Sequence, residues 1–168
     1  MANPYASGED NLRVNAEYVL DQLRRAATDG DTLRHLGAAV HAVQDSYSGA
    51  HTWRDYAVYA GDPTAAVSAL HVFALFGSTH HSEFDKPPAG SGTARAAVEA
   101  TYRILAAYEE ARGDPSRADA VLRAAVEPLF RAATGGVRVC LRADERWRAE
   151  RDDRLELDKT PGQRASPG

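Results

Sequence analysis

Six histidines occur in this chain of 168 residues, and all of them lie between positions 35 and 81. Two patterns among them could hold a metal: His41-x3-Asp45-x5-His51 and, further on, His81-x3-Asp85. Side chains at i and i+4 of a helix project in parallel about one turn apart, close enough to share one ion. Imidazole and carboxylate together suit zinc and other borderline divalent ions. A carboxylate has two oxygens, so Asp45 could bridge a pair of ions. The remaining histidines read differently. His35 stands six residues before His41 and points elsewhere on the helix, while His71 lies in an apolar stretch and reads as a satisfied core residue. His80 adjoins His81 and could take its place, and Glu83 reads as solvated or as a partner to a ligand. Cys140 is the only cysteine, which excludes an intrachain disulfide and a zinc finger or ribbon. It reads as a small buried apolar residue, and any metal must be held by histidine and carboxylate.

The elements that must position these residues follow from helical periodicity. Leu12, Ala16, Val19, Leu23 and Ala26 recur at three- and four-residue steps and predict a helix from about Glu9 to Thr28, stopped by Gly30. Asp31 can cap a second helix, with Leu33, Leu36, Val40, Val43 and Tyr47 as its core stripe. Beside it runs the stripe Gly37, His41, Asp45, where the glycine leaves room for close approach. In an unbroken helix His51 would stand ~240° around from Asp45. A turn at Ser48-Gly49-Ala50 is therefore needed to bring it back. Asp62-Pro63 reads as a cap with proline at the first helical position, followed by a central helix, apolar nearly all round, to about Phe76. Residues 78–88 form a polar segment and 89–93 a Gly/Ser loop. Residues 94–112 predict a helix with Ala94, Ala97, Val98, Thr101, Leu105 and Tyr108 on one face. Another runs from Pro115 to about Ala133, capped by Asp114 and kinked at Pro128. The Arg-, Asp- and Glu-rich stretch from Val137 to about Leu157 reads as an exposed helix with Leu141 and Trp147 as anchors, its charges a solvated face.

Composition agrees with one domain: residues 1–157 as a single helical metal-binding domain and 158–168 as a disordered tail. Apolar residues make up 43% and the formal net charge is −4, which gives no general attraction for nucleic acid or anionic membranes. No stretch approaches the ~20 apolar residues of a membrane span. The start, Met1-Ala2-Asn3, has neither the basic nor the apolar region of a signal peptide, so a cytoplasmic location is expected, export by another route aside.

The string from Leu36 to His51, LGAAVHAVQDSYSGAH, resembles the metal-binding segment of the zinc-dependent phospholipase C and single-strand-specific nuclease superfamily. That family carries Leu-Gly-x3-His-x3-Asp on a helix, a third histidine six residues after the aspartate, and later a His-x3-Asp or His-x3-Glu pair. His81 to Asp85 is similar to that second pattern, and the resemblance spans residues 33 to 88. It implies an all-α, compact bundle of helices. It also implies a paired-metal centre to which His41 and Asp45 contribute, Asp45 as the bridging ligand and the residue catalysis turns on. His51, His81 and Asp85 would hold the adjacent ion. The chain departs from the family upstream: no histidine precedes His35, and Asp10, Asp29 and Asp31 sit in no matching motif. One or two Zn²⁺ ions, or another divalent metal, are therefore expected rather than three.

The activity implied is zinc-dependent hydrolysis, of phospholipase C-like or nuclease-like phosphodiesters, with nucleic acid involved only as substrate. The alternative is a metal-stabilised member with a different reaction, or a non-enzymatic helical binding module. Tyr47, Trp53, Tyr56 and Tyr59 follow the first motif and read either as pocket lining or as packing.

Overall fold

In the computed structural model residues 3, 5–71, 88–140, 154 and 157 are described. Helix α1 spans Gly8–Thr28 and α2 spans Thr32–Asp45. Ser7 caps α1 by accepting from the Asp10 N–H, and Asp31 caps α2 by accepting from the Arg34 N–H. The three residues between them make a tight helical hairpin. The apolar stripe of α1 is the one its periodicity predicts: Leu12, Ala16, Val19, Leu20, Leu23 and Ala26 are buried.

The buried stripe of α2 differs from the expectation. It runs through His35, Ala39 and Val43 and continues to Tyr47 beyond the helix. Leu33, expected in the core, is 83% exposed. The four-residue series 33, 37, 41 and 45 therefore faces outward.

Helix α3 spans Gly92–Gly113 and α4 spans Ala118–Val126, followed by a 3₁₀ turn at Glu127–Phe130. The core face of α3 is Ala96, Ala100, Ile104, Ala107, Tyr108 and Ala111, shifted from the predicted face, and Val98 lies outside. The helix expected to run from Pro115 to Ala133 is shorter at both ends. Asp114 closes a turn on Ser116, and Pro128 sits in the 3₁₀ turn.

The all-α expectation is overturned by a three-stranded mixed sheet in the order β1-β2-β3. Strand β1 is Thr52–Arg54, β2 is Val67–His71 and β3 is Arg138–Cys140. β2 pairs antiparallel with β1 and parallel with β3. The predicted central helix after Asp62-Pro63 is thus replaced, over the described residues, by the central strand. A short apolar run buried on both faces has no period to separate strand from helix. Asp62 does not cap a helix either. Its carboxylate accepts from the N–H and hydroxyl of Thr64, both at 2.8 Å, which makes a local turn. Residues 138–140, assigned above to an exposed helix, form the third strand. Leu141, Trp147, residues 72–87 and the expected tail 158–168 lie outside the described residues.

The sheet divides the apolar side chains. Val67 and Leu70 join the main core with α1 to α4, while Trp53, Ala69 and Cys140 form a second, small cluster. A 3₁₀ turn at Tyr56–Ala60 packs on the start of α3, so closely that a Cβ at Gly92 would stand 1.9 Å from the Tyr59 carbonyl oxygen. Among the described residues no helix is long and apolar enough to cross a membrane.

Candidate metal centre

His41 and Asp45 stand on the outward face of the last turns of α2, as their i, i+4 spacing requires. The His41 Nε2 and the Asp45 Oδ2 are 3.5 Å apart, with side-chain exposures of 77% and 40%. That is longer than a good hydrogen bond. It is close to the ~3.3 Å that separates two ligands of one tetrahedral zinc, given Zn–N and Zn–O lengths of about 2.0–2.1 Å. Gly37, one turn earlier, adds to the opening: a Cβ there would meet nothing within 4 Å. The donor pair suits a divalent ion in type, spacing and access.

The helix ends at Asp45, four residues before Gly49, where the break was expected. The chain then folds through consecutive turns: the Ser48 N–H donates to the Asp45 carbonyl, and the His51 and Thr52 N–H groups both donate to the Ser48 carbonyl. The Thr52 hydroxyl closes the segment by donating to the Ser46 carbonyl. His51 thus stands just ahead of β1, and its carbonyl accepts from the His71 N–H at 2.8 Å. A turn stands across Ser48-Gly49-Ala50, where one was expected, but the helix itself ends earlier, at Asp45.

His81 and Asp85, together with the alternative His80 and with Glu83, lie outside the described residues. Among the described residues no group of three or more His, Cys, Asp or Glu side chains forms a metal site. The upstream carboxylates are engaged locally. Asp10 accepts from the Ser7 hydroxyl and pairs with Arg13, and these bonds hold its carboxyl below the usual range. Asp29 lies 3.1 Å from the His35 ring, and Asp31 caps α2 and pairs with Arg34.

His35 is buried in the core and points away from His41, as its position suggested, whereas His71 is half-buried at the end of β2 rather than inside an apolar helix. The His35 Nδ1 meets the Gln22 Oε1 at 2.8 Å, and its Nε2 faces Asp29. The His71 Nδ1 lies 3.0 Å from the Ala50 carbonyl oxygen, so this nitrogen carries the proton. Cys140 is buried at the end of β3, and the parallel register sets His71 opposite it, a neighbour that sequence distance hid.

Sequence reasoning passed over Arg54. It is 3% exposed and spends its donors on neutral groups. Nε donates to the Ser46 carbonyl at 2.9 Å and Nη1 to the Ala65 carbonyl at 2.7 Å. Nη2 donates to the Ser46 hydroxyl at 2.9 Å and to the Leu129 carbonyl at 2.8 Å. The guanidinium also stacks 4.0 Å from the centre of the Tyr47 ring. Burial lowers the guanidinium pKa and raises that of the Tyr47 phenol. Nothing in the spacing of Trp53-Arg54-Asp55 separates such a strut from a solvated loop arginine.

Of the aromatic residues after the motif, Tyr47 is packing and Tyr56 is 66% exposed. Trp53 borders an open cavity of about 490 Å³ with Glu9, Ser68, Gly136, Arg138 and Arg154. The Arg154 guanidinium lies 4.5 Å from the Trp53 ring centre.

Comparison with known proteins finds no matching family model, no matching curated protein and no matching solved structure.

Proposed function

We propose that the chain is a zinc-dependent hydrolase of phosphodiesters, with the metal held at the C-terminal end of α2 by His41, Asp45 and His51 and by His81 and Asp85 from the later motif. The observation that carries this reading is the His41–Asp45 pair: exposed, 3.5 Å apart, and with no other side-chain partner among the described residues. An imidazole and a carboxylate held one turn apart and exposed on one helix face are suited to a third party. A bound zinc supplies the chemistry, since it lowers the pKa of a bound water toward ~7 and neutralises phosphoryl oxygens. The resemblance of residues 33 to 88 to the zinc-dependent phospholipase C and nuclease superfamily selects the phosphodiester as substrate.

The local engagement of Asp10, Asp29 and Asp31 favours a second reading, in which fewer ions are bound and the metal serves stability or another reaction. One experiment orders the two. Untagged protein is analysed for metal beside His51→Ala and His81→Ala, then assayed with zinc on lipid and nucleic-acid phosphodiesters beside Asp45→Asn. Stoichiometric zinc lost in the histidine variants, with hydrolysis lost in Asp45→Asn, is the expected result. Zinc without hydrolysis, and a melting temperature that falls in chelator, selects the second reading. No zinc in the wild type sinks both.

A further inference from the structure

The sheet separates Trp53, Ala69 and Cys140 from the main core, and an open cavity of about 490 Å³ lies beside this second cluster. We infer that the cavity binds a small hydroxylated phosphate monoester, with Arg138 and Arg154 taking the phosphate and Glu9 taking a hydroxyl. None of these residues belongs to the metal ligands proposed above, so the two readings stand or fall separately.

The strand register assembles the cationic part of the lining. Trp53 of β1 pairs with Ala69 of β2, and Ala69 pairs with Arg138 of β3, so the three side chains form one row on one face of the sheet. The Arg138 guanidinium lies 5.9 Å from the centre of the Trp53 ring, within cation–π range. The Arg154 guanidinium lies 4.5 Å from the same ring and 5.6 Å from that of Tyr56. Its Nη1 is pinned, donating to the Arg54 carbonyl at 3.0 Å and to the Tyr59 hydroxyl at 3.4 Å. Among the described residues no carboxylate comes within ion-pair distance of Arg154, and its Nε and Nη2 bond to none of them. A guanidinium has five N–H donors, so most of this fork remains for a ligand. Two such charges seated on one ring suit a dianion, and arginine forks match phosphate oxygens two at a time.

A second part of the lining is acidic and fixed. Glu9, in the first turn of α1, accepts through Oε1 from the Val137 N–H at 3.2 Å and pairs with no cation among the described residues. The turn before β3 packs so closely on α1 that a Cβ at Gly8 would stand 2.3 Å from the Val137 carbonyl oxygen. The Glu9 carboxylate is thus held in place by the fold rather than by the arginines. It repels a bare dianion but accepts readily from a hydroxyl. Together the two parts select a molecule that is doubly anionic at one end and donates hydrogen bonds at the other. The volume agrees: it falls within the roughly 300–1,000 Å³ of small-molecule sites and leaves ample room beyond a lone phosphate.

The test is calorimetric titration of the full chain, in metal-free buffer of low salt, with ribose 5-phosphate, inorganic phosphate, ribose and gluconate. Ribose 5-phosphate should bind, inorganic phosphate and the monoanion gluconate more weakly, and ribose not measurably. Arg138→Gln and Arg154→Gln, each shown folded by circular dichroism, should weaken ribose 5-phosphate about 10- to 100-fold, the value of a hydrogen bond to a charged group. Glu9→Gln should narrow the gap between ribose 5-phosphate and inorganic phosphate. Arg112→Gln, which changes an exposed arginine at the end of α3, should alter nothing. An equal loss there would mean diffuse attraction and overturn the site. So would a wild type that does not bind ribose 5-phosphate, or that binds gluconate as tightly. Should one arginine variant fail to fold, wild-type affinity in the other overturns the proposal; should both fail, an unchanged gap in Glu9→Gln does so.

Discussion

Each end of α2 carries a histidine beside an aspartate, and the two pairs are opposites. At the N-terminal end His35, with a side chain only 4% exposed, lies 3.1 Å from Asp29 and holds Gln22 of α1 with its other nitrogen at 2.8 Å. At the C-terminal end His41 is 77% exposed and stands 3.5 Å from Asp45, with neither side chain bonded elsewhere among the described residues. One helix thus sets a histidine beside an aspartate twice, first against the Asp29 cap of α1, where folding consumes it, and then against its own Asp45, where it is left accessible. Sequence spacing alone cannot show the difference, because it depends on which helical face meets α1. Six residues along a helix are about 600°, or 240° beyond a full turn, and that rotation places His35 inward and His41 outward.

The comparison breaks most visibly in stability. His35→Ala removes a buried ring together with hydrogen bonds on both nitrogens and leaves Gln22 facing a void. It should cost about 2–3 kcal/mol in a denaturant titration. His41→Ala removes one exposed, loosely spaced pair and should stay within about 0.5 kcal/mol of wild type without metal. Equal losses at the two positions would mean that the exposed pair is part of the fold, and the metal reading would lose its main support.

The sequence carried the first helix well. The stripe from Leu12 to Ala26 is regular, and α1 packs as that regularity demands. The same reasoning misread α2 by one residue. It took Leu33 as core and did not see that a histidine, His35, begins the buried face, because a buried polar residue is identified by its partners and Gln22 is 13 positions away. Val67–His71 was misread as part of a helix for a different reason: its apolar run is short, and only pairing with Thr52–Arg54 and Arg138–Cys140 makes it a strand. Of the site, the outward His41–Asp45 stripe was legible in full, and so was the turn across Ser48-Gly49-Ala50. Arg54, whose bonds to Ser46, Ala65 and Leu129 come from three separate places in the chain, was not legible at all.

A smaller effect sharpens the contrast at the buried end. The Ala26 carbonyl, in the last turns of α1, accepts from the Tyr108 hydroxyl and from the Thr32 hydroxyl, both at 3.0 Å. The His35 end of α2 is thus held by a chain of polar contacts inside the core rather than by apolar packing alone. Tyr108→Phe should cost about 1 kcal/mol, the net value of one buried hydrogen bond, in thermal or denaturant unfolding. It should leave zinc binding at the other end of the helix untouched. A change in zinc affinity here would show that the two ends are coupled.

The smallest effect concerns acid and belongs to the accessible end. Tyr47, which stacks on Arg54, donates its hydroxyl to the Pro63 carbonyl, and Pro63 lies in the turn that Asp62 closes on Thr64. The Thr64 N–H and hydroxyl hold the Asp62 carboxyl below its ordinary value near 3.8. The sign follows: the ionised carboxylate is favoured in the folded state, so its contribution is complete above the unfolded pKa and vanishes as pH falls through the lowered folded value. Asp62→Asn keeps an acceptor for Thr64 but cannot titrate. The stability gap between wild type and Asp62→Asn should therefore be constant above about pH 5 and shrink below about pH 4, when measured by denaturant unfolding at a series of pH values. A gap that does not change between neutral and acid pH would show that the turn is held by shape rather than by charge. The support beneath Tyr47 and Arg54 would then be as insensitive to acid as an apolar core.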